Sequence, residues 1–350
     1  MKIGLAYDLA PSDPALTDPG PDDRYEEFDK PETIASMADV LRGVGHEVVL
    51  LGNGRAFLER VLADPPDLVW NMAEGEGVGR CRESRVPAVL EMLGIPCTGS
   101  DPLTLAAGLD KEVAKRLVRS AGVIVPDGLL VETALARDAP ALSSALKSLA
   151  HRLPPPWIIK PAFEGSSKGV RAGSLVDRQD EAAELLRTLV ADYDQPMLVE
   201  EYVQGDEVTV GLIGEGPGAE ILGTMRVVPR GSNDRFVYSL EVKRNWQDRV
   251  RYEVPACLPV AVIDRLERCA LDAYRVLGCR DVARIDFRVR EGVPYFLEVN
   301  PLPGLAPGWG DLVILARGVG LTHEELILRI LEATFRRIGA RRCVAGVSPR

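Results

Sequence analysis

Residues 281–304, DVARIDFRVREGVPYFLEVNPLPG, leave little freedom in how this chain folds. Ala283, Ile285, Phe287 and Val289 alternate with Arg284, Asp286, Arg288 and Arg290; further on, Leu297 and Val299 alternate with Glu298 and Asn300. Side chains two apart share a face of a strand, so each run reads as a strand with one apolar and one polar face. Glu291-Gly292 between them is the Gly-containing link of a tight hairpin turn. Arg284 then projects with Asp286, and Glu298 with Asn300. If the two polar sets meet on one side, they present two carboxylates, an amide oxygen and a guanidinium. Hard oxygen ligands of this kind suit Mg²⁺ that also borrows substrate phosphate oxygens. A hairpin with a plainly solvated face carries the same pattern, so the remainder of the chain has to decide.

Residues 1–99 alternate strand and helix. IGLAY, HEVVLLG and DLVWNMA read as strands; ETIASMADVLRGVG, RAFLERVLA and SRVPAVLEMLG read as helices. This order implies a parallel sheet with helices on its faces. Ligands of such sheets gather beyond the carboxyl ends of the strands. Those ends lead into two long polar loops, 11–31 and AEGEGVGRCRES at 73–84. No G-x-G-x-x-G follows the first strand, so a dinucleotide fold is not supported.

Residues 100–192 begin with a helix pair that has Lys111 near its middle. VIVPDGLLV reads as a strand pair broken by Pro-Asp-Gly. Next, Trp157–Lys160 enters a loop with Glu164, Gly165, Ser166, Ser167, Lys168 and Gly169. Successive backbone N–H groups of such a loop can point at phosphate oxygens. It is not a Walker A loop, because the G-K-[ST] order is absent and no helix follows. Residues 193–338 open with a strand running into Glu200-Glu201-Tyr202-Val203. That strand can offer backbone groups to a base edge, or be one arm of a hairpin. After the central hairpin, a terminal helix starts at Thr322 with Glu325 three residues on, a capping box.

Composition sets bounds. A length of 350 residues predicts two or three domains. The net charge of −10 argues against a nucleic-acid partner. No apolar run approaches the roughly 18 residues of a membrane span, and MKIGLAYD reads as a strand, not a signal peptide. Cys81, Cys97, Cys257, Cys269, Cys279 and Cys343 form no C-x-x-C pair and read as thiols of a reducing cytosol, so a cytoplasmic location is expected. His46, His151 and His323 stand too far apart in sequence to suggest a His-based metal site.

The order of these parts resembles the ATP-grasp ligases, and among them the D-alanine–D-alanine ligases. The resemblance covers roughly residues 85–335. It rests on EMLGIPCTGS, LDK at 109–111, KP-x-x-EGSS-x-G at 160–169, LVEEYVQGDEVTV, ARIDF and LEVNPLPG, in that order. It implies an α/β and α+β protein with the ATP-grasp fold: a Rossmann-like parallel α/β domain at 1–99, a small central α+β domain at 100–192 and a C-terminal α+β domain at 193–340. It implies ATP as cofactor, with Lys111, Lys160 and Lys243 on its phosphates and the Glu164-Ser166-Ser167 loop closing over them. Glu200, Glu201 and the backbone near Val203 are expected on the adenine side, and Glu207 at the ribose. Asp286, Glu298 and Asn300 are expected to hold two Mg²⁺ (or Mn²⁺), with Glu298 bridging. Arg284 and the N–H of Gly304 are expected to bind the oxyanion, with Ser166 and Lys243 also among the catalytic groups.

The implied activity is ATP-dependent carboxylate–amine ligation through an acyl phosphate, nominally D-alanine with D-alanine, in small-molecule amino-acid metabolism and with a possible homodimer. Departures from the family pattern keep a ligase for another amino acid, peptide or specialised metabolite open, and a non-catalytic nucleotide-binding protein behind it. The family's Gly/Ser-rich first loop is replaced by the acidic, Pro-rich 11–31, where Glu27 or Glu32 are candidates for a substrate amino group. A usual histidine after the third strand is absent, leaving Glu74 or Glu76. The family's Lys-Tyr pair is Lys243-Arg244, and its Ser-Leu pair after Asn300 is replaced by a stretch with Trp309 and Asp311.

Overall fold

The computed structural model describes residues 1–11, 20–231 and 235–339. Most of loop 11–31 before Gly20, and Cys343, lie outside the described residues. Three sheets follow one another along the chain. The first is parallel, with β1 (Lys2–Tyr7) between β2 (Glu47–Gly52) and β3 (Leu68–Met72). Helices Pro31–Gly43 and Gly54–Ala63 make the crossovers, as strand–helix alternation requires. The second sheet is antiparallel, in the order β4 (Gly128–Val131), β7 (Met197–Glu201), β5 (Trp157–Pro161), β6 (Leu175–Val176). The third, also antiparallel, runs β10 (Val250–Glu253), β9 (Glu220–Pro229), β8 (Asp206–Glu215), β11 (Arg280–Arg290), β12 (Val293–Asn300).

Each sheet has its own core. Trp157, Ile159 and Val199 of the central sheet pack on helices Ala139–Arg152 and Gln179–Tyr193. Ile285, Phe287 and Phe296 of the large sheet pack on helices Lys111–Ser120 and Val260–Leu277. Ile3, Leu5 and Trp70 share a core with Leu326, Ile330 and Leu331 of the C-terminal helix His323–Ile338. That helix starts at Thr322 with the expected capping box.

The sheets divide the chain differently from the expected limits. β7 lies inside the central sheet although it follows residue 192, and helix Lys111–Ser120 packs against β12 although it precedes that limit. The strands of the central sheet run along the chain from β4 to the end of β7. The expected strand before Pro126-Asp127 does not form; only Gly128–Val131 is extended and paired. Pro126 brings no N–H to a ladder.

Candidate active site

The central and large sheets face each other across a cleft with about 900 Å³ of unfilled space. Ile158 and Lys160 of β5 and Glu200 and Glu201 of β7 line one side; Glu207, Thr209, Arg284, Asp286, Arg288 and Glu298 line the other. Tyr202 and Val203, just past β7, close one end. The hairpin register explains why the charged groups meet. Glu291 and Gly292 both take positive φ, 52° and 76°, in the tight turn. The turn sets the register as far as Phe287 opposite Phe296, and past a one-residue bulge Arg284 lies opposite Asn300 and Asp286 opposite Glu298, while on the other flank Thr209 lies beside Asp286 and Glu207 beside Arg288. One expectation from simple alternation fails. A bulge between the Asp286 and Phe287 pairings inserts Leu297, which lines the cleft with Glu298 instead of joining Val299.

The Asp286 carboxylate accepts from Thr209 Oγ1 at 2.7 Å, from Arg284 at 2.9 Å and from Asn300 Nδ2 at 3.2 Å. Arg284 spans Asp286 and Asp311, whose Oδ2 lies 3.1 Å from Nη1. Lys111 starts its helix behind the Asp110 cap, and its Nζ sits 2.7 Å from Glu298 and 2.6 Å from the Glu164 carbonyl. Burial pushes the Glu298 carboxyl up, but Lys111 and Lys160 more than reverse this and hold it well below the usual range. Lys160 lies 3.0 Å from Glu200, and burial pushes its ammonium down to about 8. The Glu200 side chain is 1 % exposed and engaged by both Lys115 and Lys160, so its carboxylate faces lysines inside the cleft wall. Glu201 pairs with Arg290, and Glu207 pairs with Arg288 at 2.7 Å.

A second, wider cavity shares Lys111, Glu164, Lys243, Arg284 and Asp311 with the first and opens toward the parallel sheet. Ser166 and Gly304 line it, whereas Ser167 lines the first. Ser166 and Ser167 have φ of 48° and 61°, a rare conformation for non-glycine residues that clusters at ligand loops. Across this cavity an acidic segment docks on the 164–171 loop. Glu27 accepts from the Gly165 N–H at 2.6 Å and pairs with Arg82 at 2.9 Å and Lys168 at 3.0 Å. Glu164 accepts from Gln195, Arg82 and Lys168, and Asp23 accepts from the Gly169 N–H at 2.9 Å. Lys243 lines both cavities, 5.1 Å over the Tyr238 ring, and Arg244 clamps Asp22 and Glu26 at 2.7 Å.

Of the four N-terminal glutamates considered, Glu27 and Glu74 line the second cavity. Glu32 is in the first turn of helix Pro31–Gly43 and Glu76 is exposed; neither lines either of these two cavities. Trp309 and Asp311 do line it. Sequence reasoning missed Arg82, Glu83, Lys115, Thr209 and Arg288, all buried and charged or polar. The only local sign was the charged CRES at the end of the long loop after β3.

Among the described residues no three His, Cys, Asp or Glu side chains gather as a metal-holding group. The hairpin supplies two carboxylates and one amide, Asp286, Glu298 and Asn300. That set fits Mg²⁺, which is usually held by one or two carboxylates and completed by substrate phosphates and water. The described cysteines are free thiols, and no described helix is long and apolar enough to cross a membrane.

Comparison with known proteins adds to this geometry. The family described as D-ala D-ala ligase C-terminus matches residues 117–332. A D-alanine–D-alanine ligase of Albidiferax ferrireducens is 35 % identical over 319 residues, 85 % of this chain and 86 % of that protein. One from Anaeromyxobacter dehalogenans is 35 % identical over 301 residues, 86 % of this chain and 90 % of the other. The crystal structure of D-alanine–D-alanine ligase from Bacillus anthracis complexed with ATP superposes with a TM-score of 0.72 at 23 % identity, covering 96 % of this chain and 97 % of that one. The VanG D-Ala:D-Ser ligase from Enterococcus faecalis gives a TM-score of 0.68 at 20 % identity, covering 95 % and 99 %. The expected α/β and α+β fold of the ATP-grasp type is borne out by these superpositions, with one parallel and two antiparallel sheets.

Proposed function

Because this chain belongs to the D-alanine–D-alanine ligase family of ATP-grasp enzymes, we propose that it couples ATP cleavage to joining two amino acids, nominally D-alanine to D-alanine. The observation that carries the reading is the row Thr209–Asp286–Glu298 with Arg284 and Lys111 at its edge, at the junction of the two cavities. The nucleotide occupies the cleft between the antiparallel sheets and the amino acids occupy the second cavity. The domain division, with the central unit redrawn around β4–β7, belongs to the same proposal.

Amide formation from a free carboxylate is uphill in water, so the carboxylate has to be activated. It attacks the γ-phosphorus of ATP, ADP leaves, and an acyl phosphate forms. Asp286, Glu298 and Asn300 hold Mg²⁺, which when bound neutralises the charge of the crowded phosphates. Lys111 and Lys160 add positive charge on the same side, and Lys243 does so from the 240–249 segment. The amine of the second substrate then attacks the acyl carbon and phosphate leaves. Arg284 and Gly304 line the second cavity, and the guanidinium and the Gly304 N–H are the proposed donors to the tetrahedral oxyanion; one such donor is typically worth about 10²–10³ in rate. The Ser166-Ser167 loop, the acidic segment at 20–30 and Arg244 exclude water from the acyl phosphate. The adenine side is formed by Glu201, Tyr202 and Val203, with Glu207 at the ribose, and the Glu200 carboxylate sets the positions of Lys115 and Lys160.

Phosphate release by the purified protein with MgATP, followed as a function of D-alanine and paired with mass detection of the dipeptide, tests this reading. ATP binding without phosphate release for any amino acid rules it out. A ligase for another amino acid is the second reading. It is favoured by Glu74, Trp309 and Asp311 on the wall of the second cavity. A homodimer and a cytoplasmic location remain part of the proposal.

A further inference from the structure

The wall of the second cavity nearest the parallel sheet is built for positive charge. Glu27, Asp29, Glu74 and Glu83 all line it. The cations behind that wall, Arg82 and Lys168, are both held by Glu27 and Glu164. Lys111 is paired with Glu298, and Lys30 lies 5.8 Å over the ring of Trp309. This leaves three carboxyl groups with no direct ion pair among the described residues. Glu83 is the clearest: it is 6 % exposed, faces the cavity, and its side chain has no hydrogen bond or ion pair among the described residues. The side chains of Glu74 and Asp29 have none either, and they continue the line toward the mouth of the parallel sheet. A buried polar group left without a partner is costly, and rare unless a ligand or ordered water completes it. Burial, with Glu27 and Glu164 nearby, pushes Glu83 up to about 8 against the pull of Arg82 and Lys111, and burial with Asp8 nearby pushes Asp29 up to about 7. A cation seated there relieves both effects at once.

We propose that one of the two substrates is a diamino carboxylic acid, whose second ammonium group pairs with Glu83 and runs along the wall formed by Glu74 and Asp29. The inference rests on the ligase reading and names its substrate class. A side chain as short as that of alanine brings no charge to this wall.

The test is phosphate release by the full-length protein with MgATP, using ornithine and lysine in both chiral forms. Norvaline and norleucine serve as neutral counterparts of similar length, and each is supplied alone and with D-alanine. The expected result is a kcat/KM for a diamino acid about tenfold or more above that of its neutral counterpart, the scale of one buried charge-assisted contact. Equal or better rates with the neutral amino acids or with D-alanine alone overturn the proposal and leave the ligase reading standing. No phosphate release with any amino acid removes both. Glu83→Gln should bring the diamino-to-neutral ratio toward one, chiefly through KM, with partial recovery in Glu83→Asp. Glu74→Gln gives a second reading of the same ratio should the first variant fail to fold. An unchanged ratio in the folded variants overturns the proposal.

Discussion

Asp286 and Glu298 are directly paired residues on adjacent strands, and the 2.7 Å contact from Lys111 to Glu298 keeps that second carboxylate charged. Two anions side by side on one face of a ladder normally repel. Here Arg284, Thr209 and Asn300 satisfy Asp286 while Lys111 satisfies Glu298. Each carboxylate of the proposed metal pair thus has protein partners of its own. Asp286→Asn and Glu298→Gln should each lower phosphate release by about 10³ or more while preserving the folded state. Steady-state rates with circular dichroism check this; near-normal turnover in either variant counts against the metal assignment.

Arg284 reaches Asp286 and Asp311 at once through the fork of its guanidinium. A lysine keeps the charge but cannot span both. Arg284→Lys should lower kcat by about 10²–10³ with little change in the KM for ATP. A fall confined to the KM for ATP would place Arg284 at the nucleotide and away from the oxyanion.

Arg244 ties the 240–249 segment to Asp22 and Glu26 on the far side of the cavity. These pairs are partly exposed, so their worth in stability is about 0–1 kcal/mol each. In the proposed mechanism their part is to exclude water from the acyl phosphate. In Arg244→Ala the melting temperature should move by only a few degrees, and phosphate should be released in excess of peptide product. A phosphate-to-product ratio that stays at one argues against the latch.

Glu83 has an ordinary value of 4.5, and burial raises it to about 8, with Glu27, Glu164 and Glu74 nearby opposed by Arg82 and Lys111. The folded state binds the proton more tightly than the unfolded chain. The resulting stability is complete below about 4.5 and is lost as pH rises through about 8. Glu83→Gln has no such loss. Relative to the parent, it should gain more than about 1 kcal/mol between pH 5 and pH 9. Urea unfolding of both proteins at the two pH values measures the difference; parallel pH curves would show that Glu83 titrates normally.

A Cβ built on Gly165 meets Glu27 Oε1 at 2.7 Å, and Glu27 is locked by Arg82 and Lys168. Gly165→Ala should cost about 1–3 kcal/mol, the usual penalty for overpacking. It should also detach the acidic segment from the 164–171 loop. Urea midpoints, with proteolysis near residues 20–30 as a second readout, check this; unchanged values in both would mean the loop is not held by Glu27.

Much of this protein is set by its residues in local order. The period of two in 283–290 and the Glu291-Gly292 turn suffice to pair the strands from Arg290 with Val293 to Phe287 with Phe296, because hairpin register follows from turn chemistry and one buried face, whereas Asp286 meets Glu298 only past the bulge at Leu297. Strand–helix alternation likewise dictates the parallel sheet, and Thr322 with Glu325 starts the last helix where expected. Tertiary structure alone decided the rest. The bulge at Leu297 depends on how the large sheet bends, and the place of β7 depends on which edges lie free when the chain returns. The meeting of Glu27 with Gly165 and Lys168, and the exposure of Glu83 to the cavity without a partner, join segments far apart in sequence. Charge pairing of that kind has no period and no local signature. It arises only when packed cores bring two loops within reach, and the acidic wall of the second cavity is made there.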